Sequence, residues 1–224
     1  MPVIISILPE KVCPRALRAG VPISHPSWRP SLLFVFALCA LIGDTTGVAA
    51  DADAGKNKAE ACVACHGDDG ISQTEDTPSL ASQPDLFLQW QLVFFRSGAR
   101  KNEVMGPIAE QLSNEDVRDL AAFFTSLKPS DSSAPKAPDD RPELTEAGKK
   151  AAADGRCAAC HGDDYAGTKA VARIAGQHEE YLVKALHDYK SGLRSGGGVA
   201  AMAEVAYPLS EEDISALAHY LSRL

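Results

Sequence analysis

Apolar residues recur at helical spacing in two similar stretches of the chain. Both carry four large side chains at successive steps of one, four and three residues: Phe87, Leu88, Leu92 and Phe95, then Tyr181, Leu182, Leu186 and Tyr189. Such steps place side chains along one face of an amphipathic helix. We therefore predict helices over residues 84–97 and 178–191. Each is followed by a glycine, Gly98 or Gly192, which suits a left-handed helix cap.

Further helices flank each of these stretches. The pattern predicts a first helix over residues 52–65 and its counterpart over residues 144–160. The last helices lie within residues 112–127 and 209–224, and each opens with Ser-x-x-Asp, which resembles a capping box with Asp in place of Glu. No useful length of chain alternates apolar and polar residues as a strand does. The predicted fold class is therefore all-α.

The same order of elements occurs twice. Residues 61–70 (ACVACHGDDG) return as residues 156–165 (RCAACHGDDY) at a shift of 95, and later matches follow at shifts of 94 and 97. The four prolines and small polar residues of 128–143 cannot hold a helix or pack a core. We predict two tandem domains, residues 51–127 and 144–224, joined by this Pro-rich linker.

Residues 1–50 have the layout of a secretory signal peptide. An apolar run over residues 31–43 follows three arginines and precedes small residues that end at Ala50. We predict cleavage after Ala50, with Ala52 as the second choice, and a periplasmic location. The alternative is an uncleaved membrane anchor, but the apolar run is short for a membrane span and is closed by Asp44, which argues against it.

Removal of this leader makes the chain more acidic. The whole chain has 22 basic and 30 acidic residues, and the leader holds four of the basic and two of the acidic ones. The rest of the chain therefore has 18 basic and 28 acidic residues and a net charge of −10. This charge argues against nucleic acid or anionic lipid as the main partner. It favours transient docking onto a basic patch of another protein.

Four of the six cysteines form two Cys-x-x-Cys pairs, each followed directly by a histidine. The residues are Cys62, Cys65 and His66, then Cys157, Cys160 and His161. Two thiols at this spacing can each add across a heme vinyl group, and the adjacent histidine then binds the iron. A zinc site would need further ligands within each domain, and a thioredoxin-like pair expects a βαβ setting. We therefore predict two covalently bound heme c groups.

The second axial ligand of each iron is inferred by elimination. The chain after the leader holds two methionines, Met105 and Met202, one per domain, in segments that we predict as loops. Ligation by two histidines is barred in the first domain, because His66 is its only histidine. Three further histidines of the second domain are predicted to face solvent: His178, His187 and His219. We therefore predict Met105 and Met202 as the second axial ligands.

Two helical domains, each with C-x-x-C-H-G and a later methionine, resemble the diheme class I cytochromes of the cytochrome c4 family. The resemblance covers residues 51–224 and implies a two-domain periplasmic electron carrier whose hemes have His/Met ligation. In related cytochromes the ligating histidine donates to a carbonyl at a loop proline, matched here by Pro78. The second domain has Ala172 at that place, which offers a carbonyl without the rigidity of proline.

Other residues are candidates for roles around the cofactors. Arg100 and Arg194 follow the middle helices, and either pair with heme propionates or are solvated beyond a helix end. Trp90, Val93 and Phe94 form an apolar face that the second domain lacks. That face either meets the other domain or a partner, or adds to the core.

His/Met ligation leaves no open iron position, so the sequence predicts a single-electron carrier and not an enzyme. The expected partners are redox proteins, with a quinol-oxidising complex and a terminal oxidase as candidates, and peripheral association with the inner membrane is a further option. Two alternatives remain. One is the cytochrome subunit of a dehydrogenase, such as flavocytochrome c sulfide dehydrogenase, and the other is a diheme enzyme with one labile axial ligand.

Overall fold

Five helices build each half of the described chain. The computed structural model describes residues 49–129, 137–194 and 200–224. The helices of the first half are α1 (Ala52–Lys58), α2 (Glu60–His66), α3 (Asp85–Arg96), α4 (Met105–Glu110) and α5 (Asn114–Ser126). Those of the second half are α6 (Pro142–Asp154), α7 (Ala158–His161), α8 (Glu179–Lys190), α9 (Ala200–Ala206) and α10 (Glu211–Ser222). Within these ranges the β-structure is limited to isolated bridges, which confirms the all-α prediction.

The first predicted helix of each half is two helices, so the prediction of one continuous helix was wrong. In the first half Ala59 ends α1, and its N–H bonds to the carbonyl of Lys56, three residues back instead of four. In the second half α6 ends at Asp154, and Arg156 has a left-handed φ of 52°. Each break stops the helical hydrogen-bond pattern and starts a new short helix at the C-x-x-C-H motif. Helix α6 also begins at Pro142, inside the predicted linker.

The predicted helix caps are confirmed. Ser113 and Asp116 form a reciprocal capping box at the start of α5, with distances of 3.1 and 2.9 Å from backbone nitrogen to side-chain oxygen. Ser210 begins the same arrangement on α10. Gly98 and Gly192, which follow α3 and α8, have φ angles of 73° and 76°, where a side chain would be strained.

The first and last helices of each half cross at a glycine. Helix α1 packs on α5, and α6 packs on α10. A Cβ on Gly55 would lie 2.0 Å from the carbonyl oxygen of Asp119, and a Cβ on Gly148 would lie 2.0 Å from that of Ala216. A residue without a side chain is therefore needed for the backbones to approach this closely.

The predicted apolar stripes contribute to the core of each half. Leu88 of α3 packs with Leu120 and Phe124 of α5. In the second half, Leu182 of α8 packs with Ala218 of α10. The middle helix thus completes a layer over the crossing of the first and last helices.

The N-terminal segment lies almost entirely outside the described residues. The predicted signal peptide, residues 1–50, has only its last two residues within them. Among the helices of the described ranges, none combines the length and the apolar character needed to cross a membrane.

His219 is buried, which corrects the prediction that it faces solvent. It is 1% exposed on α10, with Nδ1 2.9 Å from Oε2 of Glu179 and Nε2 3.1 Å from Oδ1 of Asp139. Both ring nitrogens therefore lie within hydrogen-bond distance of carboxylate oxygens. Arg141 completes the network by donating to both oxygens of Glu179, at 3.0 and 2.9 Å. The prediction failed because these partners come from the end of the linker and from α8, far away in sequence.

Candidate functional site

The two cysteine-histidine motifs occupy equivalent places in the two halves. All six residues lie on or next to a short helix: Cys62, Cys65 and His66 on α2, and Cys157, Cys160 and His161 at α7. These four cysteines form no disulfide among the described residues. Burial raises the pKa of the Cys62 and Cys157 thiols. The structure therefore brings two thiols and one imidazole together in each half, as the sequence predicts.

Both motif histidines are buried and oriented by a backbone carbonyl. His66 and His161 are each 7% exposed. The Nδ1 of His66 donates to the carbonyl oxygen of Pro78 at 2.8 Å, and that of His161 donates to Ala172 at 2.8 Å. Burial lowers the pKa of both imidazoles, and the hydrogen bond to the carbonyl only partly opposes this. A neutral ring whose proton is on Nδ1 has its lone pair on Nε2, where it can bind a metal.

The loop before Ala172 is held by a β-bridge and a tight turn, where the first half has Pro78. Thr168 and Val171 pair as a β-bridge, with N–H to carbonyl distances of 3.1 and 2.8 Å. A Cβ on Gly167, whose φ is 80°, would lie 2.5 Å from the carbonyl carbon of Ala172. This tight turn holds the carbonyl at the same distance from its histidine as in the first half. The absence of proline therefore leaves the hydrogen bond unchanged.

Met105 and Met202 lie on short helices, where the sequence predicted loops. Met105 is the first residue of α4, and its N–H donates to Oδ1 of Asn102 at 2.8 Å. Met202 lies in α9, and both methionines are half-buried. Pro107 hides the helical signal, but proline is tolerated in a first turn because the N–H groups there lack helical partners. The role of these methionines as iron ligands stays a prediction.

Two arginines converge where the halves meet. Arg194 is 4% exposed and donates to Oε1 of Gln91 at 2.7 Å. Arg100 donates to the same oxygen at 2.8 Å and to the hydroxyl of Tyr181 at 3.1 Å. The backbones of Arg100 and Arg194 also pair as an isolated antiparallel bridge. Arg194 is therefore not solvated beyond its helix end.

This arginine pair has no carboxylate partner among the described residues, and Nε of Arg194 is buried without a hydrogen bond. Burial disfavours ionisation of Tyr181, yet Arg100 and Arg194 outweigh it and lower its pKa to about 8. Arg194 is buried and Arg100 is half-buried, and two adjacent cations in such a place call for an anion. The propionates of heme are carboxylates. Paired thiols, a buried imidazole and unpaired cations thus fit a heme at each motif.

Three glutamines that the sequence reasoning missed hold the halves together. Gln83 and Gln177, which are 4% and 5% exposed, each bind the backbone of the other half, and Gln91 joins the two arginines. The available signal was the repeated glutamine that ends LASQ and IAGQ. Reasoning within one domain could not interpret it, because the partner backbone belongs to the other domain.

The remaining surface predictions have different outcomes. The His187 side chain is 43% exposed, as predicted. His178 is half-buried instead of facing solvent, because its Nε2 donates to the carbonyl of Ser72 in the other half at 2.9 Å. Trp90 is 49% exposed and stacks on Phe94, with ring centroids 5.6 Å apart. Contact of this face with a partner protein stays a prediction.

Two helical domains, each with a buried C-x-x-C-H histidine held by a loop carbonyl, define a two-domain c-type cytochrome. The family model for cytochrome c matches residues 52–128 and 145–224, and cytochrome c4 of Azotobacter vinelandii is 35% identical over 195 residues, which cover 79% of this chain and 90% of that protein. The chain belongs to the cytochrome c4 family.

Two further comparisons extend this result. The crystal structure of reduced recombinant cytochrome c4 from Pseudomonas stutzeri matches with a TM-score of 0.71 and 34% identity, over 79% of this chain and all of that one. A thiosulfate dehydrogenase electron acceptor of Thiomonas intermedia (strain K12) is 32% identical over 171 residues, 74% of this chain and 79% of that protein. As a member of its family, this chain carries two covalently bound heme c groups and is an electron carrier with redox protein partners.

Proposed function

We propose that this protein transfers single electrons between respiratory redox partners in the periplasm, with one heme in each domain. The observation that carries the proposal is the duplicated site: in both halves a buried motif histidine donates its Nδ1 proton to a loop carbonyl at 2.8 Å. Nε2 of each ring is thereby left to bind iron. Two such sites in one chain suit a carrier that takes up and releases electrons one at a time.

The ligands proposed for each heme come from two elements of its own domain. Cys62 and Cys65 would hold the first heme by thioether bonds, and His66 and Met105 would bind its iron. Cys157 and Cys160 would hold the second heme in the same way, and His161 and Met202 would bind its iron. When bound, the hemes supply the one-electron couple of Fe(III) and Fe(II), and methionine ligation raises its potential.

Arg100 and Arg194 are proposed to neutralise heme propionates at the junction of the domains. Their guanidinium groups share one oxygen of Gln91 and have no carboxylate partner among the described residues. Charge-assisted hydrogen bonds from arginine to carboxylate would satisfy both groups. The cofactors and the arginine pair then stabilise each other.

The proposed location rests on the composition of residues 1–50, and the proposed partners rest on the charge of the chain. Residues 1–50 are a signal peptide that directs export, and residues 128–143 link domains at 51–127 and 144–224. A quinol-oxidising complex is the proposed donor and a terminal oxidase the proposed acceptor, with association at the periplasmic face of the inner membrane. The acidic surface favours docking on basic patches of these partners.

A second candidate function is acceptance of electrons from a dehydrogenase. The relative from Thiomonas intermedia, which is 32% identical, is named a thiosulfate dehydrogenase electron acceptor. Reduction by a purified thiosulfate dehydrogenase at rates comparable with those of quinol-oxidising complexes would favour this role. The ligand set would be the same in both functions.

Optical spectroscopy of the purified holoprotein tests the proposed ligation. We expect two low-spin hemes with methionine ligation, and a ferrous spectrum that carbon monoxide does not change. Ready binding of carbon monoxide or cyanide at one heme would contradict ligation by Met105 or Met202. That result would favour a diheme enzyme with a labile ligand.

A further inference from the structure

Two glutamines bridge the domains in a reciprocal way. Oε1 of Gln177 accepts from the N–H of Ser79 at 2.9 Å, and its Nε2 donates to the carbonyl of Ser79 at 3.0 Å. Gln83 makes the same pair of bonds to Arg173, at 3.0 and 2.8 Å. These glutamines are equivalent in the sequence repeat, as are the residues they bind. Each domain therefore binds the backbone of the other domain through an equivalent glutamine.

The N–H bound by each glutamine belongs to the peptide group that orients a motif histidine. The carbonyl of Pro78 and the N–H of Ser79 are the two ends of one planar peptide, and that carbonyl accepts from His66 at 2.8 Å. The second half repeats this chain of contacts with His161, Ala172 and Arg173. Two hydrogen bonds in series thus connect each histidine to the glutamine of the opposite domain.

Hydrogen bonds that share a peptide reinforce each other. A bond accepted from the N–H shifts electron density toward the carbonyl oxygen and makes it a stronger acceptor, by about 10–30%. A stronger acceptor draws the Nδ1 proton away from the ring, so the imidazole becomes a stronger electron-pair donor to iron through Nε2. Electron donation to iron favours Fe(III) and lowers the reduction potential.

We propose that Gln83 and Gln177 are positioning residues that tune the reduction potential of the heme in the opposite domain. Gln83 acts on His161, and Gln177 acts on His66. Separation of the domains breaks both connections, so each potential depends on the docked arrangement. This inference rests on the proposed ligation of iron by the two motif histidines.

The test is a redox titration of the holoprotein and of two methionine variants, followed by NMR so that each heme is observed separately. Gln83→Met and Gln177→Met keep the length of the side chain and remove its polar atoms. We expect Gln83→Met to raise the potential of the second-domain heme alone, and Gln177→Met to raise that of the first-domain heme alone. The Nδ1 proton signal of the affected histidine should shift and exchange faster with solvent.

A merely structural role for the glutamines predicts a different pattern. A loosened interface admits water, which stabilises the more highly charged Fe(III) state and lowers both potentials. Tyr181→Phe is the matched control, because it removes the 3.1 Å hydrogen bond from Arg100 across the same interface and leaves both glutamines in place. We expect this control not to shift one heme selectively.

A second pair of variants covers the case in which the methionine variants do not fold. Gln83→Glu and Gln177→Glu retain an oxygen that accepts from the peptide N–H, so the potential of the opposite heme should stay at or below that of the parent. Equal shifts of both hemes, a rise in the glutamate variants, or unchanged potentials in folded methionine variants would overturn the inference. None of these results would alter the proposed carrier role, whose own test is the optical spectrum of the parent protein.

Discussion

Arg194 is a buried cation with no anion beside it among the described residues. It is 4% exposed, its Nε has no hydrogen bond, and its nearest polar partner, Gln91, is neutral. An arginine in such a place is costly unless an anion lies beside it. In the proposed function a heme propionate is this anion, which would connect the burial of Arg194 to the reduction potential.

Replacement of this cation should lower the potentials. The positive charge of Arg194 disfavours Fe(III), so Arg194→Met should decrease the reduction potential on the order of tens of millivolts. For one electron, about 59 mV corresponds to a tenfold change in the equilibrium constant. Redox titration of the holoprotein measures it. Lys101→Met is the matched control, since this exposed cation is screened by solvent. An equal shift in the control would contradict the role of Arg194.

Asp139 should make stability depend on pH in the acid range. The Thr145 hydroxyl donates to its carboxylate at 2.6 Å, and with help from the backbone of Arg141 and from His219 this lowers its pKa from 3.8 to about 2. Because the pKa of Asp139 is lower in the folded than in the unfolded state, its ionised carboxylate stabilises the fold above about pH 4. This contribution to the free energy of unfolding is lost as the pH falls toward about 2. Asp139→Asn should therefore destabilise the protein near neutral pH.

Urea unfolding at a series of pH values measures this effect. The difference in midpoint between the parent and Asp139→Asn should shrink as the pH falls from about 4 to about 2. Asp140→Asn is the control, because the Asp140 side chain is 79% exposed. A difference in urea midpoint that stays constant over the whole pH range would contradict the lowered pKa of Asp139.

At the scale of elements, the sequence predicted the helix caps correctly. The serines that begin α5 and α10 and the glycines that follow α3 and α8 are where the sequence placed them, because caps depend on neighbouring residues. The helix of Met105 was missed because Gly106 and Pro107 interrupt its pattern, and that of Met202 because seven residues are too few for a periodicity to show. His219 was misplaced because its partners lie far away in sequence.

The helix crossings give a prediction at this scale. A Cβ on Gly148 would lie 2.0 Å from the carbonyl oxygen of Ala216 and 2.6 Å from Cβ of Tyr220. Gly148→Ala should therefore destabilise the protein by about 1–3 kcal/mol, although alanine favours an isolated helix by about 1 kcal/mol.

Unfolding of the holoprotein in guanidinium chloride measures the effect of Gly148→Ala. The matched control is Lys149→Ala on the same helix, which changes an exposed residue and should shift stability by no more than about 0.5 kcal/mol. A stabilised Gly148→Ala variant would show that the helices can separate without cost.

At the scale of the whole molecule, the sequence predicted two equivalent domains but not how they meet. The repeat places Gln83 and Gln177 at equivalent positions, and only the structure shows that each binds the other domain. Contacts between domains depend on a three-dimensional juxtaposition that no periodicity records. The same limit applies to the two arginines, which the sequence left as either propionate partners or solvated side chains.

The overall charge gives a prediction about partners. Without the leader the chain carries a net charge of −10. Electron transfer to a small basic c-type cytochrome should slow as ionic strength rises, because the Debye length falls from about 30 Å at 0.01 M to about 8 Å at 0.15 M. Stopped-flow second-order rate constants measure this, with an acidic probe as control. A rate that rises with salt for the basic probe would contradict steering by charge.

The pairing of Arg100 with Arg194 has a consequence for the origin of the molecule. These residues are equivalent in the repeat, and the backbones of equivalent residues pair with each other only around a two-fold axis. Together with the reciprocal glutamine contacts, this is the arrangement of a homodimer. A one-domain ancestor that paired with its own copy would need only gene duplication and a connecting segment to give this chain, with no new surface to evolve.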